Sequence, residues 1–204
     1  MITWRTSKIP VAYPEAEKAM EEQVSAILAG QPAEGIWLLE HPNLYTAGTS
    51  AIPEELLDSR YPVFPSGRGG HYTWHGPGQR VVYVMLDIRS RGISIHEFVH
   101  GLEGWGIAAL AELGLPAFRR EGHIGIWVGT PGQEEKIGAI GVRVRRGITF
   151  HGMAINVAPD LASFSGIIPC GIKDRGVTSL AACGIPDSMA NLDTALRQTC
   201  PWQD

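Results

Sequence analysis

Cysteine and net positive charge are both scarce in this chain, and each shortage excludes a class of protein. The 204 residues include only three cysteines, Cys170, Cys183 and Cys200, and no two of them form a C-x-x-C pair. This spacing argues against a structural zinc site or a disulfide framework. An odd number of cysteines suits a reducing compartment, where a single thiol can act as a nucleophile. The formal net charge of -4 argues against bulk binding to nucleic acid.

Long apolar runs are also missing. No run approaches the roughly 20 residues that a helix needs to cross a bilayer. The opening residues have neither the apolar region nor the cleavage site of a signal peptide. We therefore expect a soluble cytoplasmic protein that does not associate with membranes.

The overall composition is that of a folded protein, with 44% hydrophobic and 19% charged residues. A length of 204 residues fits one domain, and no repeat, low-complexity tract or linker divides it. We predict a single domain over residues 1–204.

Hydrophobic periodicity predicts both helices and strands. Helices are expected over about 15–28, from 94 to the residues before Gly114, and over about 188–197 with Ser188 as cap. Strands are expected at 36–39, in the β-branched run from Val81, at 122–129 and 136–146 as a hairpin, and from Ile148. The residues 53–57 are read as a short helix. Because these elements do not alternate strictly, the pattern indicates an α+β fold with a mixed, mainly antiparallel central sheet flanked by helices.

Residues 96–100 read His-Glu-Phe-Val-His and match the zinc-protease pattern H-E-x-x-H. The context favours another interpretation, since Ser94 and Glu97 stand three apart at the start of an apolar run, as in a capping box. That places the first histidine in the first helical turn. The extended zinc pattern also fails, because Glu103 and Gly106 occupy its next positions. We predict no metal site.

Three separated features suggest a site. The segment 68–79, RGGHYTWHGPGQ, holds four glycines together with an arginine, two histidines and two aromatic residues. Its glycines permit close approach of backbone to a ligand, although a simple turn between strands would look similar. Lys136 begins the strand KIGAIGV, where a lysine is usually solvated. Cys170 lies between a proline and a glycine, which exposes a thiol on a loop. Spacing alone does not join Lys136 to Cys170.

These blocks resemble the lipoyl (octanoyl) transferases, which share the fold of the biotin and lipoate protein ligase catalytic domain. The resemblance extends from Glu40-His41-Pro42 to Pro169-Cys170-Gly171, and its most specific parts are RGGHYTWHGPGQ, KIGAIGVRVRRGITFHGMAINV and PCG. It implies transfer of an octanoyl group from acyl carrier protein to a lysine of lipoyl domains, the first step of protein lipoylation, without a cofactor. The implied acceptors are the lipoyl domains of 2-oxoacid dehydrogenases and the glycine cleavage H protein. We expect a monomer.

The resemblance also assigns roles to residues. Cys170 matches the acyl-bearing nucleophile, and Lys136 matches the lysine that lowers the pKa of that thiol. The matched substrate-binding positions are Arg68, Gly69, Gly70, His71, Tyr72, Thr73, Trp74, His75, Ala139, Ile140, Gly141, His151, Gly152, Met153 and Ala154. Two positions depart from the family, since His71 stands where many relatives have Gln, and Trp74 where Tyr is common.

This chemistry needs a thiolate, and a free thiol with a pKa of about 8.5 is only a few per cent ionised at pH 7. A neighbouring ammonium stabilises the thiolate. Exchange between thioesters needs neither ATP nor metal. Once Cys170 is acylated, Lys136 can accept the proton that the incoming amine loses, and backbone N–H groups beside Cys170 can stabilise the oxyanion.

Three other functions remain open at this point. An ATP-dependent lipoate or biotin ligase would not need the Cys170 thiol, and a non-catalytic acyl-binding protein would tolerate its loss. A cysteine hydrolase would need His75 or His151 near Cys170. Basic residues also cluster at 119–120 and 143–146, either as a solvated strand face or as a docking site for an acidic protein.

Overall fold

The computed structural model describes residues 2–168, 175–186 and 189–203. Cys170, with its Pro-Cys-Gly loop, and the predicted cap Ser188 lie outside the described residues. The chain order of elements is β1 (Thr3–Thr6), α1 (Tyr13–Leu28), β2 (Gly35–Leu39), β3 (Leu44–Ala47), β4 (Val63–Pro65), β5 (Tyr72–His75), β6 (Gln79–Met85), α2 (Ile95–Glu112), β7 (Phe118–Arg120), β8 (His123–Val128), β9 (Glu135–Arg145), β10 (Ile148–Asn156) and α3 (Met189–Gln198).

Seven strands form the larger sheet, in the order β1-β2-β6-β10-β9-β8-β7. Within this larger sheet only β1 and β2 pair in parallel, and every other neighbouring pair is antiparallel. The remaining strands form a small sheet in the order β4-β3-β5. The prediction of an α+β fold with a mainly antiparallel central sheet is therefore confirmed.

Helices cover both faces of the larger sheet, and the alternation of side chains along β6 explains why. Val82 and Val84 pack with α2 and α3, whereas Val81 and Tyr83 pack with α1 on the opposite face. Successive side chains of a strand point to opposite faces, so a fully buried run like β6 must have cover on both sides. The prediction that this run is a central strand is confirmed.

Several boundaries differ from the sequence prediction. Helix α1 begins at Tyr13 rather than residue 15, because Pro14 lies in the first turn, where its missing N–H is no loss. The short helix at 53–57 is a 3-10 turn, Pro53–Glu55. The predicted hairpin of β8 and β9 is confirmed. Strands β1, β3, β4, β5 and β7 were not predicted, since three or four residues are too few to show a period.

The zinc-like motif lies where the capping interpretation places it. The Ser94 hydroxyl accepts from the backbone N–H of Glu97 at 3.2 Å, and the Glu97 carboxylate accepts from the Ser94 N–H at 2.8 Å. Within 2–168, 175–186 and 189–203, no group of three His, Cys, Asp or Glu is arranged to hold a metal ion. In the same ranges, no helix combines the length and apolar character that a membrane span requires.

Candidate active site

A cavity of about 530 Å³ lies where the glycine-rich segment meets β9 and β10. Most of its walls come from strands of the larger sheet. Strands β3 and β5 of the small sheet and the N-terminal parts of α1 and α2 supply the rest, together with the glycine-rich segment. The lining side chains or backbones that the sequence analysis had singled out are Arg68, Gly69, Gly70, His71, Thr73, His75, Lys136, Ala139, Ile140, Gly141, His151, Gly152, Met153 and Ala154.

Two residues of the predicted set, Tyr72 and Trp74, do not line the cavity. Strand β5 is the reason, because its residues alternate between two faces. Thr73 and His75 face the cavity. Tyr72 and Trp74 point instead into a separate apolar cluster, in which the Trp74 and Phe164 rings lie 5.2 Å apart. The structure therefore places these two predicted binding residues in packing positions.

Pairing of β9 with β10 joins two predicted stretches into one wall. Ala139 lies opposite Ala154, and Gly141 lies opposite Gly152. The two stretches are more than ten residues apart in sequence, and only the antiparallel register brings them together.

Arg68 braces the glycine-rich segment from inside. Its guanidinium donates to the carbonyls of Gly69, Thr46 and His71 at 2.9, 2.9 and 3.0 Å, and to the Thr46 hydroxyl at 2.7 Å. A Cβ at Gly141 would come within 2.8 Å of the Arg68 Cδ, so β9 is in direct contact with this side chain. These bonds offset part of the entropic cost of ordering so many glycines.

One part of the cavity, here called the lysine end, is lined by Lys136 and Ile124, and Gly125 lies against the Lys136 side chain. Lys136 is 6% exposed, and its Nζ donates to the carbonyl of Ile124 at 2.8 Å. Its backbone also bonds to the chain that follows the undescribed Cys170 segment, since Lys136 N–H donates to the Gly176 carbonyl at 3.0 Å. A lysine at the start of a strand is usually solvated, and this one is buried against the cavity.

Glycine is required at position 125 by both conformation and space. Its φ is +139°, and a Cβ there would lie 2.3 Å from the Lys136 Cε and 2.8 Å from the Gly138 carbonyl oxygen. The slot that holds the lysine side chain exists because residue 125 has no side chain.

The histidine end is lined by Tyr13, His75, Tyr83 and His151, and the His41 ring packs against three of these residues. Val142, which pairs with His151, follows Lys136 by six residues along β9. At about 3.3 Å per residue this separates the two ends by roughly 20 Å. Neighbouring rings at this end have centroids 5.6 to 5.8 Å apart.

Hydrogen bonds determine the tautomers at the histidine end. The His41 Nδ1 lies 2.6 Å from the Val11 carbonyl oxygen, which can only accept, so Nδ1 carries the proton. Its Nε2 then accepts from the Tyr83 hydroxyl at 2.8 Å. In the same way His75 Nδ1 donates to the Gln79 side-chain oxygen at 2.7 Å, which leaves the His75 Nε2 as an acceptor.

Burial keeps these histidines neutral. It lowers the pKa of His41 to about 4, and together with the charges of Arg68 and Arg143 it lowers the pKa of His151 to about 3. Burial also lowers the pKa of His75 well below its ordinary value, with a smaller contribution from His41. At pH 7 the histidine end therefore offers donors and acceptors without imidazolium charge.

His151 has a backbone φ of +58°, in the left-handed region, although it lies within β10. Residues other than glycine rarely adopt this conformation, and it is commonest where surrounding contacts enforce it near functional sites. Here the strained residue turns its ring into the cavity wall beside Tyr83.

His71, one of the two positions that depart from the family pattern, has an acidic neighbour. Its Nδ1 lies 2.7 Å from Glu55 Oε1, within ion-pair distance, but the direction of the contact does not meet hydrogen-bond geometry. The Glu55 carboxylate is buried, and the Glu55 carbonyl accepts from the backbone N–H of Ile168 at 2.8 Å. His71 is thus linked through Glu55 to Ile168, just before the Cys170 segment.

The basic patch at 143–146 is partly neutralised. Arg143 and Arg145 each contact the Glu21 carboxylate, at 2.9 and 2.6 Å, and both guanidinium groups lie over the Phe150 ring. Each side chain is still about one-third exposed. The docking interpretation stays a prediction.

The two cysteines that the structure describes are in packing positions. Cys183 and Cys200 are half-buried beside the core that α2 and α3 form, and burial raises the pKa of the Cys200 thiol. Cys170, the predicted nucleophile, lies outside the described residues.

Sequence reasoning missed a second group of lining residues that come from elements without a recognisable motif. Tyr83 carried a detectable signal, as a hydroxyl inside an otherwise apolar central strand, and Tyr13 stood beside the proline at the start of α1. The group is Tyr13, Thr46, Val81, Tyr83, Ile95, Val99, Gly122, His123, Ile124 and Val142.

Comparisons with known proteins agree on one family. The family model for the lipoyl protein ligase A/B catalytic domain matches residues 13–204. An octanoyltransferase of Rhodopseudomonas palustris (strain BisA53) is 54% identical over 202 residues, which span 96% of this chain and 86% of that protein. An octanoyltransferase of Rhodospirillum rubrum is 56% identical over 198 residues, spanning 96% and 92%.

A solved structure supports the fold. The bipartite lipoate protein ligase of an archaeal lipoylation system, from Thermoplasma acidophilum, superposes with a TM-score of 0.70 at 18% identity and covers 98% of this chain and 82% of that one.

Proposed function

This chain belongs to the lipoyl protein ligase A/B catalytic-domain family, and we propose that it works by carrying an octanoyl group on Cys170 and passing it to a lysine of a lipoyl domain. Its extensive identity to octanoyltransferases, over most of both chains, makes it an acyltransferase of protein lipoylation. The acyl donor is octanoyl-acyl carrier protein, and the acceptors are lipoyl domains of 2-oxoacid dehydrogenases and the glycine cleavage H protein.

The observation that carries the mechanism is the position of Lys136. Its amine is buried at the edge of a cavity, and its backbone bonds directly to Gly176, six residues after Cys170. The carbonyl of Lys136 in turn accepts from the N–H of Thr178 at 3.0 Å. The chain that leaves the Cys170 segment is therefore held against the strand that carries the lysine.

The first half of the reaction is a thioester exchange. The Cys170 thiolate attacks the octanoyl carbonyl, and the tetrahedral intermediate collapses by expelling the pantetheine thiolate, which takes up a proton from the Lys136 ammonium and leaves that amine neutral. The bond broken and the bond formed are both thioesters, so no ATP is consumed. The Lys136 ammonium stabilises the attacking thiolate, and backbone N–H groups beside Cys170 stabilise the oxyanion.

The second half forms the amide. A neutral lysine amine of the acceptor attacks the acyl carbonyl, the Cys170 thiolate is expelled, and the attacking nitrogen loses one proton. Lys136, which the first half leaves neutral, accepts that proton, and the resulting ammonium stabilises the expelled thiolate. The apolar wall of paired glycine, alanine and methionine residues on β9 and β10 holds the acyl chain.

Intact-mass measurement tests this proposal directly. The protein is mixed with octanoyl-acyl carrier protein without ATP, and an apo lipoyl domain is added afterwards. We expect a hydroxylamine-labile octanoyl adduct that is absent in Cys170→Ala and that moves to the acceptor lysine. Modification only with free octanoate and ATP would replace the proposal with ligase activity, and release of free octanoate would replace it with hydrolase activity.

A further inference from the structure

A single peptide group connects two buried ionisable side chains at the lysine end. The Ile124 carbonyl accepts from Lys136 Nζ at 2.8 Å. The N–H of the same peptide group, that of Gly125, donates to Glu103 Oε1 at 2.9 Å. Glu103 lies on α2 and is 6% exposed, as is Lys136. The carboxylate and the amine thus contact opposite ends of one amide.

The rigidity of the peptide bond makes this arrangement directional. Carbonyl and N–H lie in one plane, so a contact that fixes the N–H also fixes the direction of the carbonyl. The dipole is correctly oriented for both neighbours, because its positive end faces the carboxylate and its negative end faces the amine. Hydrogen bonds that share a polarised group in this way strengthen one another.

The rest of Glu103 is held independently of this peptide. Its other oxygen, Oε2, lies 3.2 Å from Arg119 Nε and 3.5 Å from His100 Nδ1. One turn further along α2, a Cβ at Gly106 would come within 2.2 Å of the Ile126 Cδ1. The helix is therefore seated directly on β8, and these contacts together hold the Glu103 carboxylate beside the Gly125 N–H.

Strand β8 needs such an anchor at this position. Its pairing with β9 shifts register between Ile126 and Trp127, and Gly125 has a φ of +139°. Regular ladder bonds therefore do not determine the orientation of the Ile124–Gly125 peptide.

We propose that Glu103 is a positioning residue for Lys136: it fixes the Ile124–Gly125 peptide group, and the carbonyl of that group holds the amine at the edge of the cavity. The inference rests on the proposed role of Lys136 beside Cys170. The inference gives a function to Glu103, which lies on α2 just after the zinc-like motif and has no role as a metal ligand in that motif.

Three substitutions separate the contacts of Glu103. Glu103→Ala removes the anchor and lowers the rate of Cys170 acylation by about 10- to 100-fold, the range expected when a reacting group is misplaced by about 1 Å. Glu103→Gln keeps an oxygen for the Gly125 N–H, while Arg119, which is partly exposed, turns toward water; it recovers most of the rate. Arg119→Ala removes the ion pair and the hydrogen bond from Arg119 to the His100 carbonyl but keeps the contact between Glu103 and Gly125, so it changes the rate little. Glu112→Ala, an exposed glutamate at the end of the same helix, is the matched control.

A double-mutant comparison shows whether Glu103 acts through Lys136. In a Lys136→Met background, Glu103→Ala lowers acylation no further, because the group that it positions is already gone. The pH dependence of Cys170 alkylation by iodoacetamide supplies a second readout. Its midpoint moves toward the value of a free thiol in Glu103→Ala, as in Lys136→Met, and stays near wild type in Glu103→Gln.

The outcomes distinguish this inference from the proposed function. If the octanoyl adduct persists in Cys170→Ala, or Lys136→Met leaves alkylation unchanged, the proposed function fails. If both behave as expected but Glu103→Ala acylates at the wild-type rate, only the role of Glu103 is overturned. An equal loss from Glu103→Ala with and without Lys136 would also overturn it, because the effect would then be a general loss of structure.

Discussion

At the histidine end of the cavity, most hydrogen bonds join two side chains, whereas at the lysine end a side chain bonds to the backbone. His41, Tyr83 and their neighbours form a group of rings in contact, and burial removes the charge of the histidines. Lys136 instead donates to one carbonyl, whose peptide group is bonded to a carboxylate on its far side.

The difference shows two ways to keep polar groups in a protein interior. A group that loses its charge needs only hydrogen-bond partners. An amine that must act as a cation needs an oriented acceptor and a counter-charge. At the lysine end the Ile124 carbonyl is the acceptor, and the Glu103 carboxylate on the far side of the same peptide group supplies the charge. Substitutions should therefore affect catalysis at the lysine end and stability, with its pH dependence, at the histidine end.

The largest effect is expected for Lys136→Met, which keeps the shape of the side chain and removes the amine. Octanoyl transfer should fall on the order of 100-fold or more, since thiolate stabilisation and proton acceptance are both lost. Adduct formation on Cys170, followed by intact mass over time, measures this. Lys8→Met, at an exposed lysine, is the control. Similar losses in both variants would contradict the assignment.

Gly125→Ala should come next, with a loss of about 10- to 100-fold. The new Cβ would come within 2.3 Å of the Lys136 Cε and displace that side chain, and it would also strain a backbone with φ of +139°. Gly132→Ala separates these causes, because Gly132 has a φ of +88° and no atom within 4 Å of an added Cβ. If the two variants lose the same activity, backbone strain rather than displacement of the lysine is responsible.

The histidine end should make the free energy of unfolding depend on pH. An unfolded histidine binds a proton near pH 6.5, whereas folded His41 does so only near pH 4. The unfolded state therefore holds more protons between these values, so the free energy of unfolding falls as the pH is lowered through this window.

His41→Gln tests this contribution. It removes one titrating group and should reduce the slope of the free energy of unfolding against pH by about 1.4 kcal/mol per pH unit. Urea unfolding, followed by tryptophan fluorescence between pH 6.5 and about 4.5, measures it, and carboxylates titrate mainly below this range. An unchanged slope would mean that His41 is protonated in the folded protein.

The smallest effect is expected for Tyr83→Phe, which removes the hydroxyl that donates to His41 Nε2 at 2.8 Å. The cost should be about 1 kcal/mol in the free energy of unfolding, the usual contribution of one neutral hydrogen bond. The urea midpoint at pH 7 measures this. A large loss of transfer rate with unchanged stability would show that the histidine end participates in the chemistry.

Local signals predicted the scaffold more fully than the site. The capping box at Ser94, the turn chemistry between β8 and β9 and the apolar run of β6 are all encoded within a few residues. Each depends on neighbours in the chain, and each was predicted from sequence. The short strands of the small sheet depend on pairing partners instead, and no local pattern indicated them.

The candidate site was predictable only where glycine-rich segments marked it. Family resemblance supplied Lys136 as a candidate, but its burial was not apparent, because the space for its side chain comes from Gly125 on another strand. Glu103 was noted only as a residue that broke a zinc pattern. Its contact with Gly125 spans 22 residues and depends on how closely α2 sits on β8.

The alternation of β5 has a practical consequence for engineering the enzyme toward other acyl groups. Positions 73 and 75 both open onto the cavity, so a library at position 73 explores substrate preference, whereas a library at position 75 also removes the hydrogen bond from His75 to Gln79. Positions 72 and 74 face the small apolar cluster, and a library there would mostly sample misfolded proteins. Of these four consecutive positions, two face the cavity and two face the apolar cluster, and position 73 is the one to vary first.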